Sequence, residues 1–170
     1  LRYYFACKLS ENLTDLDWSV DDFVGRVNSD LVGKITNIAS RCAKLLHTHF
    51  AGALTTFDVK GAVLVEKIRE ASEQIAGHFE QRAFHRAMTT IRDLADDTNK
   101  YLDDFAPWKQ VKSDQVGTQK VLSAALNAFR QLIIYLQPVL PEYSKRAAAL
   151  FHESIYAWAD GAKVHTTGTL

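Results

Sequence analysis

The fold is best predicted from residues 19–52, which read SVDDFVGRVNSDLVGKITNIASRCAKLLHTHFAG. Ser19 and Asp22 form a capping signature, because a hydroxyl and a carboxylate can accept hydrogen bonds from the free N–H groups of a helix start. Gly52 suits the C-terminal cap. Between them, apolar residues recur at spacings of three and four, which is the period of one helix face. They are Phe23, Val27, Leu31, Ile35, Ile38, Cys42 and Leu45. The stretch therefore predicts one long amphipathic helix.

The same periodicity predicts four further helices. Pro107 ends the third helix, since the residue before a proline avoids helical geometry. Pro138 stops the fourth helix, and Pro141 suits the first turn of the fifth. Five amphipathic helices with short connections predict an all-α fold, an antiparallel helical bundle. Helices two to five are predicted over residues 64–79, 84–105, 121–136 and 141–158.

Composition limits the class of protein. The chain has 170 residues, of which 47% are hydrophobic and 24% charged, as in folded globular domains. Lys plus Arg number 20 and Asp plus Glu number 20, so the net charge is zero. The zero net charge argues against a generic polybasic binder of nucleic acid or membrane, but it does not exclude a local basic patch. Only 8 Gly and 3 Pro leave little room for many short strands.

Compartment and membrane association follow from a few residues. Two cysteines, Cys7 and Cys42, are typical of a reducing environment. The N-terminal residues lack the apolar region of a signal peptide. The most apolar stretch, residues 121–140, is interrupted by Asn127 and Arg130, so it predicts a buried helix and not a membrane span. We expect a cytoplasmic chain.

The balanced net charge hides two windows without acidic residues, 31–57 and 105–113. The first holds a polar stripe at spacings of three, four and three on one helix face, beside two histidines, His47 and His49, whose roles stay open. The second holds a proline, a tryptophan and two lysines. The stripe comprises Lys34, Asn37, Arg41 and Lys44, and the second window contains Pro107, Trp108, Lys109 and Lys112.

These windows have two interpretations. The stripe could be a solvated helix face and Trp108 a plug over the end of the bundle. Alternatively, both form one surface for single-stranded nucleic acid. An exposed indole stacks on a base for about 1–3 kcal/mol, while the Asn37 amide and the Arg41 guanidinium offer donors to base edges and phosphates.

Other chemistry has little support in the sequence. His47 and His49 are two residues apart, so on a helix they point about 200° away from each other and cannot share a metal ion. No Glu is followed three positions later by His, which excludes the di-iron carboxylate bundles. Cys42 lies on the apolar stripe and is expected in the core. We therefore predict no metal site and no catalytic residue.

Several segments resemble the C-terminal part of bacterial methionyl-tRNA synthetases. The most specific lie within the first 41 residues, and the resemblance extends over about residues 1–158. Residues 1–18 resemble the end of that family's stem-contact region, and residues 19–160 its helical anticodon-binding domain; residues 161–170 are expected to fray. The matching runs are LRYY at 1–4, KLS at 8–10, DLD at 15–17, DDFVGRVNSDLVGK at 21–34, NIASR at 37–41, APW at 106–108 and PVLP at 138–141.

The resemblance implies a function for the candidate residues. In that family the helical domain reads the CAU anticodon of methionine tRNA. Trp108 would stack on an anticodon base, with Pro107 fixing its direction, while Asn37 would bind the wobble cytosine and Arg41 a base or its backbone. Backbone contacts would come from lysines, namely Lys34, Lys44, Lys109 and Lys112.

The family's catalytic half is missing from these residues, since no H-I-G-H or K-M-S-K-S type motif is present. The resemblance assigns ATP, and any zinc, to that half, so this chain should not activate methionine alone. Its implied partner is methionine tRNA, without DNA or membrane, and the parent enzyme could dimerise through other domains. Two alternatives stay open: the anticodon domain of a cysteinyl or leucyl synthetase, and a helical protein-interaction module anchored by Trp108.

Overall fold

The computed structural model describes residues 1–10, 12, 15–154 and 156–170, and these form a helical bundle. An isolated bridge between Ala53 and Thr169 is the one β-type pairing within the described residues. The predicted all-α class is confirmed. The helices are α1 Arg2–Lys8, α2 Val20–Arg26, α3 Asn37–Phe50, α4 Val59–Glu70, α5 Ser72–Glu80, α6 Phe84–Phe105, α7 Pro107–Gln110, α8 Gln115–Leu136 and α9 Pro141–Ala149.

The predicted long helix over residues 19–52 is present, but its middle is wound differently. A π-helical segment, Val27–Thr36, joins α2 to α3 without a break. The Ser19 hydroxyl caps the start by accepting from the Asp22 N–H at 3.3 Å. At the other end Ala51 adopts a left-handed conformation, with Gly52 following it. Apolar spacings of three and four do not distinguish a ten-residue π-helical insertion from continuous α-helix.

Two of the predicted helices need correction. The second is divided into α4 and α5 at Ala71. The fifth ends at Ala149 instead of near residue 158, because the chain turns at His152, whose φ is +56°. Trp158 still packs against the core, but from a 3₁₀ segment, Trp158–Ala162. The predicted connector after Pro107 contains the short helix α7.

Helix α8 is the centre of the bundle and contacts α3, α4 and α6. Every residue from Val121 to Leu136 is buried, which explains why this segment is hydrophobic on all sides. Four of these buried residues are polar: Ser123, Asn127, Arg130 and Gln131. Over the described part of the chain, no helix is both long enough and apolar enough to cross a membrane.

The C-terminal residues, expected to fray, are instead tied to the bundle. The Asn127 side-chain amide donates to the His165 carbonyl at 2.9 Å and accepts from the His165 N–H at 2.7 Å. Further along, Leu54 N–H donates to the Gly168 carbonyl, and Leu170 N–H donates to the Gly52 carbonyl. The buried Asn127 amide of α8 requires hydrogen-bond partners, and the backbone of this segment supplies them.

Candidate nucleic-acid interface

The two acid-free windows meet in a stacked pair of side chains. The Arg41 guanidinium carbon lies 4.0 Å from the centroid of the Trp108 ring, a cation–π contact. One guanidinium nitrogen, Nη2, also lies 3.4 Å from Oδ1 of Asp103 near the end of α6. Arg41 is therefore held between an indole and a carboxylate. The Arg41 Nε and Nη1 groups have no hydrogen-bond partner among the described residues.

The backbone before Trp108 determines where its ring lies. Ala106 ends α6 in the left-handed region, with φ of +52°, and its N–H donates to the Leu102 carbonyl at 2.8 Å. That conformation costs a non-glycine residue about 1–2 kcal/mol, and such strain persists only where the surrounding structure holds it. Pro107 is buried at the first position of α7. It anchors the turn, while the Trp108 side chain remains 37% exposed.

Asn37 and Lys34 lie on the same helix face as Arg41 but differ in their surroundings. Asn37 is the first residue of α3, one turn before Arg41, and is half-buried. Its side-chain amide makes no hydrogen bond to any residue the structure describes. Lys34 Nζ, in contrast, lies 2.7 Å from Oδ2 of Asp96. The Asn37 amide is available to a ligand, whereas the charge of Lys34 is already compensated.

The other predicted lysines are exposed around this pair. Lys44 follows Arg41 on α3, Lys109 follows Trp108 on α7, and Lys112 lies in the turn before α8. None of the three forms an ion pair within the described ranges. His47 and His49 are also exposed, in the last turn of α3. Three lysine charges close in sequence to Arg41 and Trp108 are therefore left unpaired within the described residues.

One face of α6 packs along the helix that bears Arg41, and this contact was not predicted from the sequence. Four residues of α6 recur at spacings of four, three and four, and each contacts the helix that bears Arg41. Three of these contacts are ion pairs: Arg92 Nη1 with Asp30 Oδ2 at 3.5 Å, Asp96 with Lys34 at 2.7 Å, and Asp103 with Arg41 at 3.4 Å. The fourth is a hydrogen bond from Asn99 Nδ2 to the Lys34 carbonyl at 3.2 Å. The available signal was Asp96 and Asp103, which lie seven positions apart on one face of α6, together with residues 31–57, which contain no acidic residue.

The structure shows no arrangement for metal or thiol chemistry in its described parts. No three His, Cys, Asp or Glu side chains there could hold a metal ion together. Cys42 is buried on the apolar face of α3, and this burial raises the pKa of its thiol to about 12. A thiol with this pKa stays protonated at neutral pH, so Cys42 contributes packing and not nucleophilic chemistry.

The fold and this site define a class of protein: a helical domain that presents an exposed tryptophan stacked against an arginine. A family model described as the anticodon binding domain of methionyl tRNA ligase matches residues 53–168. A second model, for class I tRNA synthetases (M), matches residues 1–43. The chain belongs to the methionyl-tRNA synthetase family and contains that family's anticodon-binding domain. The resemblance found in the sequence is confirmed, and the cysteinyl and leucyl alternatives are not supported.

Individual relatives agree with this assignment. The chain is 48% identical over 160 residues to the methionine–tRNA ligase of Bdellovibrio bacteriovorus and 43% identical over 165 residues to that of Burkholderia vietnamiensis. These alignments cover 94% and 96% of the chain but 23% of each relative. The chain thus spans about a quarter of the length of these relatives.

Solved structures show the same fold. Methionyl-tRNA synthetase of Mycobacterium tuberculosis in complex with methionyl-adenylate superposes with a TM-score of 0.92 at 25% identity. The match covers 99% of this chain and 35% of that one. The apo form of the same enzyme superposes with a TM-score of 0.87 over the same 99% of this chain. The arrangement of helices described above is therefore that of this family.

Proposed function

We propose that this chain binds methionine tRNA at its anticodon loop and reads the CAU sequence. The observation that carries the proposal is the stacked Arg41–Trp108 pair, in a chain of this family. One helical turn before Arg41 lies the Asn37 amide, which has no hydrogen-bond partner among the described residues. An exposed indole offers a flat apolar surface on which an unpaired base can stack. The neighbouring polar groups then select which base is accepted.

Each side chain has a distinct part in this proposal. Trp108 stacks on an anticodon base, and the buried ring of Pro107 keeps the indole in place. Asn37 offers both a donor and an acceptor to the wobble cytosine. Arg41 keeps donors free while Asp103 and Trp108 hold its guanidinium, so it reaches a base edge or phosphate with little loss of side-chain entropy.

The lysines supply charge and not selectivity. Lys44, Lys109 and Lys112 are exposed and uncompensated, so they contact phosphates of the loop, and such contacts favour every anticodon equally. Lys34 contributes less, because Asp96 competes for its ammonium group. Specificity then rests on Trp108, Asn37 and Arg41.

The longer polypeptide to which such a domain belongs would attach methionine to tRNA in the cytoplasm with ATP. We propose that neither ATP nor zinc acts at these residues, since the sequence has no nucleotide-binding motif and its two cysteines do not form the set that a zinc knuckle needs. We propose that the 170 residues alone bind tRNA without activating methionine. Any homodimer of the parent would use other domains.

The first prediction tests Trp108. A hairpin with the CAU anticodon should quench tryptophan fluorescence with saturation, and a hairpin with an altered anticodon should not. Trp108→Ala should weaken binding about five- to 150-fold, the equivalent of one stacked base. Trp18→Ala is the matched control, because Trp18 is also exposed but belongs to a separate aromatic cluster with Tyr4 and Phe23.

The result can contradict the proposal in two ways. Equal affinity for the two hairpins would show that the chain does not read the anticodon. Unchanged affinity in Trp108→Ala would show that the indole is not a stacking surface. The second outcome would favour the remaining alternative, in which Trp108 anchors a protein partner.

A further inference from the structure

The amide of Asn99 holds the backbone of the anticodon-reading helix at the point where that helix changes type. Asn99 Nδ2 donates to the Lys34 carbonyl at 3.2 Å and to the Ala95 carbonyl of its own helix at 2.9 Å. Lys34 lies in the last turn of the π-helical segment, and α3 begins three residues later at Asn37. The contact therefore lies directly before the proposed reading residues.

The hydrogen bond from Asn99 lies where the π-helical segment changes to α-helix. Where a π-helix returns to an α-helix, the hydrogen-bond step shortens from five residues to four, so one carbonyl near the junction loses its helical N–H partner. Asn37 N–H still donates to the Val32 carbonyl five residues back, so the change of step falls beside Lys34, whose carbonyl Asn99 bonds. This side-chain donor therefore holds the backbone where the shorter step begins. Since α3 turns by about 100° per residue, a shift of one residue would carry Asn37 and Arg41 away from Trp108.

The neighbouring contacts cannot replace this hydrogen bond. The ion pairs of Asp96 with Lys34 and of Asp103 with Arg41 join side chains that are at least about a third exposed. Such pairs are weak and are screened by salt. Asn99 is partly buried, uncharged and bonded to backbone instead of to a flexible side chain. Within the described residues it is the contact from α6 that acts on the backbone of this junction.

We propose that Asn99 is a positioning residue for anticodon recognition, an inference that rests on the proposed function. It does not touch the RNA. It holds the junction so that the Asn37 amide and the Arg41 guanidinium face the same nucleotides as the Trp108 ring. Its removal should impair selection of the first anticodon base more than it impairs the stability of the fold.

The test compares Asn99→Leu with Asn127→Leu. Leucine is close to asparagine in size and removes the donor without adding charge. Asn127 is a matched control, because its Nδ2 likewise donates to the carbonyl four residues earlier, at 2.8 Å, and to a second segment, at 2.9 Å, but that segment is the C-terminal one. Hairpin affinity, discrimination between C and U at the first anticodon position, and the melting temperature are measured for both.

Asn99→Leu should weaken binding of the CAU hairpin about tenfold and reduce the discrimination between C and U by a similar factor. Asn127→Leu should lower the melting temperature at least as much and leave both RNA measurements unchanged. If Asn127→Leu does not fold, Thr90→Val serves as the control, since it removes a single hydrogen bond within α6. Asn99→Ala is the second variant at the tested position.

The outcomes separate the two proposals. If the wild-type chain does not discriminate between hairpins, the proposed function is wrong. If it does, and Asn99→Leu and Asn99→Ala bind and discriminate like the wild type, the positioning role alone is wrong. Equal loss of affinity in Asn99→Leu and in the control variant would assign Asn99 a structural role only, which also overturns the inference.

Discussion

Arg130 is a cation at the centre of the most apolar helix, and the structure shows how the fold accommodates it. Its side chain is 1% exposed. Nε and Nη2 donate to the two carboxylate oxygens of Glu153, each at 2.7 Å, and Nη1 donates to the carbonyls of Asp160 and Lys163. A buried charge is tolerable when its donors are satisfied in this way. Arg130 thereby fixes the C-terminal segment to α8.

This arrangement predicts a large effect of one substitution. Arg130→Met should lower the free energy of unfolding by about 3–5 kcal/mol, because it removes the bidentate partner of the Glu153 carboxylate and the donor to the Asp160 and Lys163 carbonyls. Urea unfolding at pH 7 measures the change. Arg26→Met is the control. Arg26 pairs with Asp22 at 2.9 Å with both side chains about a third exposed, and Asp22 keeps Lys8 at 2.7 Å, so this loss should be less than about 1 kcal/mol. Similar losses in both variants would contradict this account of Arg130.

At the scale of single elements, the sequence predicted helices best where prolines limit them. The third predicted helix, 84–105, coincides with α6, because Pro107 excludes a continuation. The fifth was predicted too long, since Phe151 and Trp158 fall at helical spacing by coincidence. They reach the core from a turn and from a 3₁₀ segment. The spacing of apolar residues predicts which residues are buried. It does not by itself predict the backbone conformation of the residues between them.

The candidate site was also predictable only in part. Charge distribution along the sequence singled out Arg41 and Trp108, whose contact the structure then showed. Asn99 and the α6 face could not be found in this way. Which face of α6 contacts the long helix depends on how the two helices pack, and the sequence pattern of one helix does not contain that information. The π-helical segment was not predictable from spacing either, and its buried Asp30 accepts a hydrogen bond at 3.1 Å from Tyr3, 27 residues earlier in the chain.

The C-terminal segment should loosen in acid. Burial alone would raise the pKa of Glu153, but the hydrogen bonds and the charge of Arg130 outweigh it and lower that pKa below its usual value of 4.5. The unfolded chain therefore takes up this proton first as the pH falls. The stabilisation is complete above the unfolded pKa and is lost as the pH falls towards the lowered pKa of the folded state.

The measurement is urea unfolding between pH 7 and pH 3. The wild type should lose stability in the acid part of this range, and Glu153→Gln should be less stable at pH 7 and lose less between the two limits. Glu142→Gln, an exposed carboxylate in the first turn of α9, should follow the wild type. A Glu153→Gln curve parallel to that of the wild type would assign the acid sensitivity to other groups.

For the whole molecule, α6 sets the distance between two regions. Its 22 residues extend over roughly 33 Å. At its start the His85 N–H donates to the Leu9 carbonyl just beyond α1. Past its other end lies Trp108. The segment after α1 and the proposed reading site are therefore at opposite ends of one helix, and α6 fixes the distance between them.

The zero net charge of the chain leads to a prediction about salt. For single-stranded RNA, the logarithm of the binding constant falls linearly with the logarithm of the salt concentration. The magnitude of this slope is about 0.7 for each phosphate that the protein neutralises. Three uncompensated lysines should give a total slope of about 2. Lys44→Gln or Lys112→Gln should each reduce the slope by about 0.7 and weaken the CAU and control hairpins equally.

Trp108→Ala provides the complementary measurement, because stacking releases no counterions. It should lower affinity for the CAU hairpin at every salt concentration and leave the slope unchanged. A plot of the logarithm of affinity against the logarithm of salt concentration should therefore run parallel to that of the wild type. Titrations at several salt concentrations distinguish the two kinds of contact. A slope well above 2 would show that this chain holds RNA by a wider basic surface, and recognition would then depend less on the few groups around Trp108.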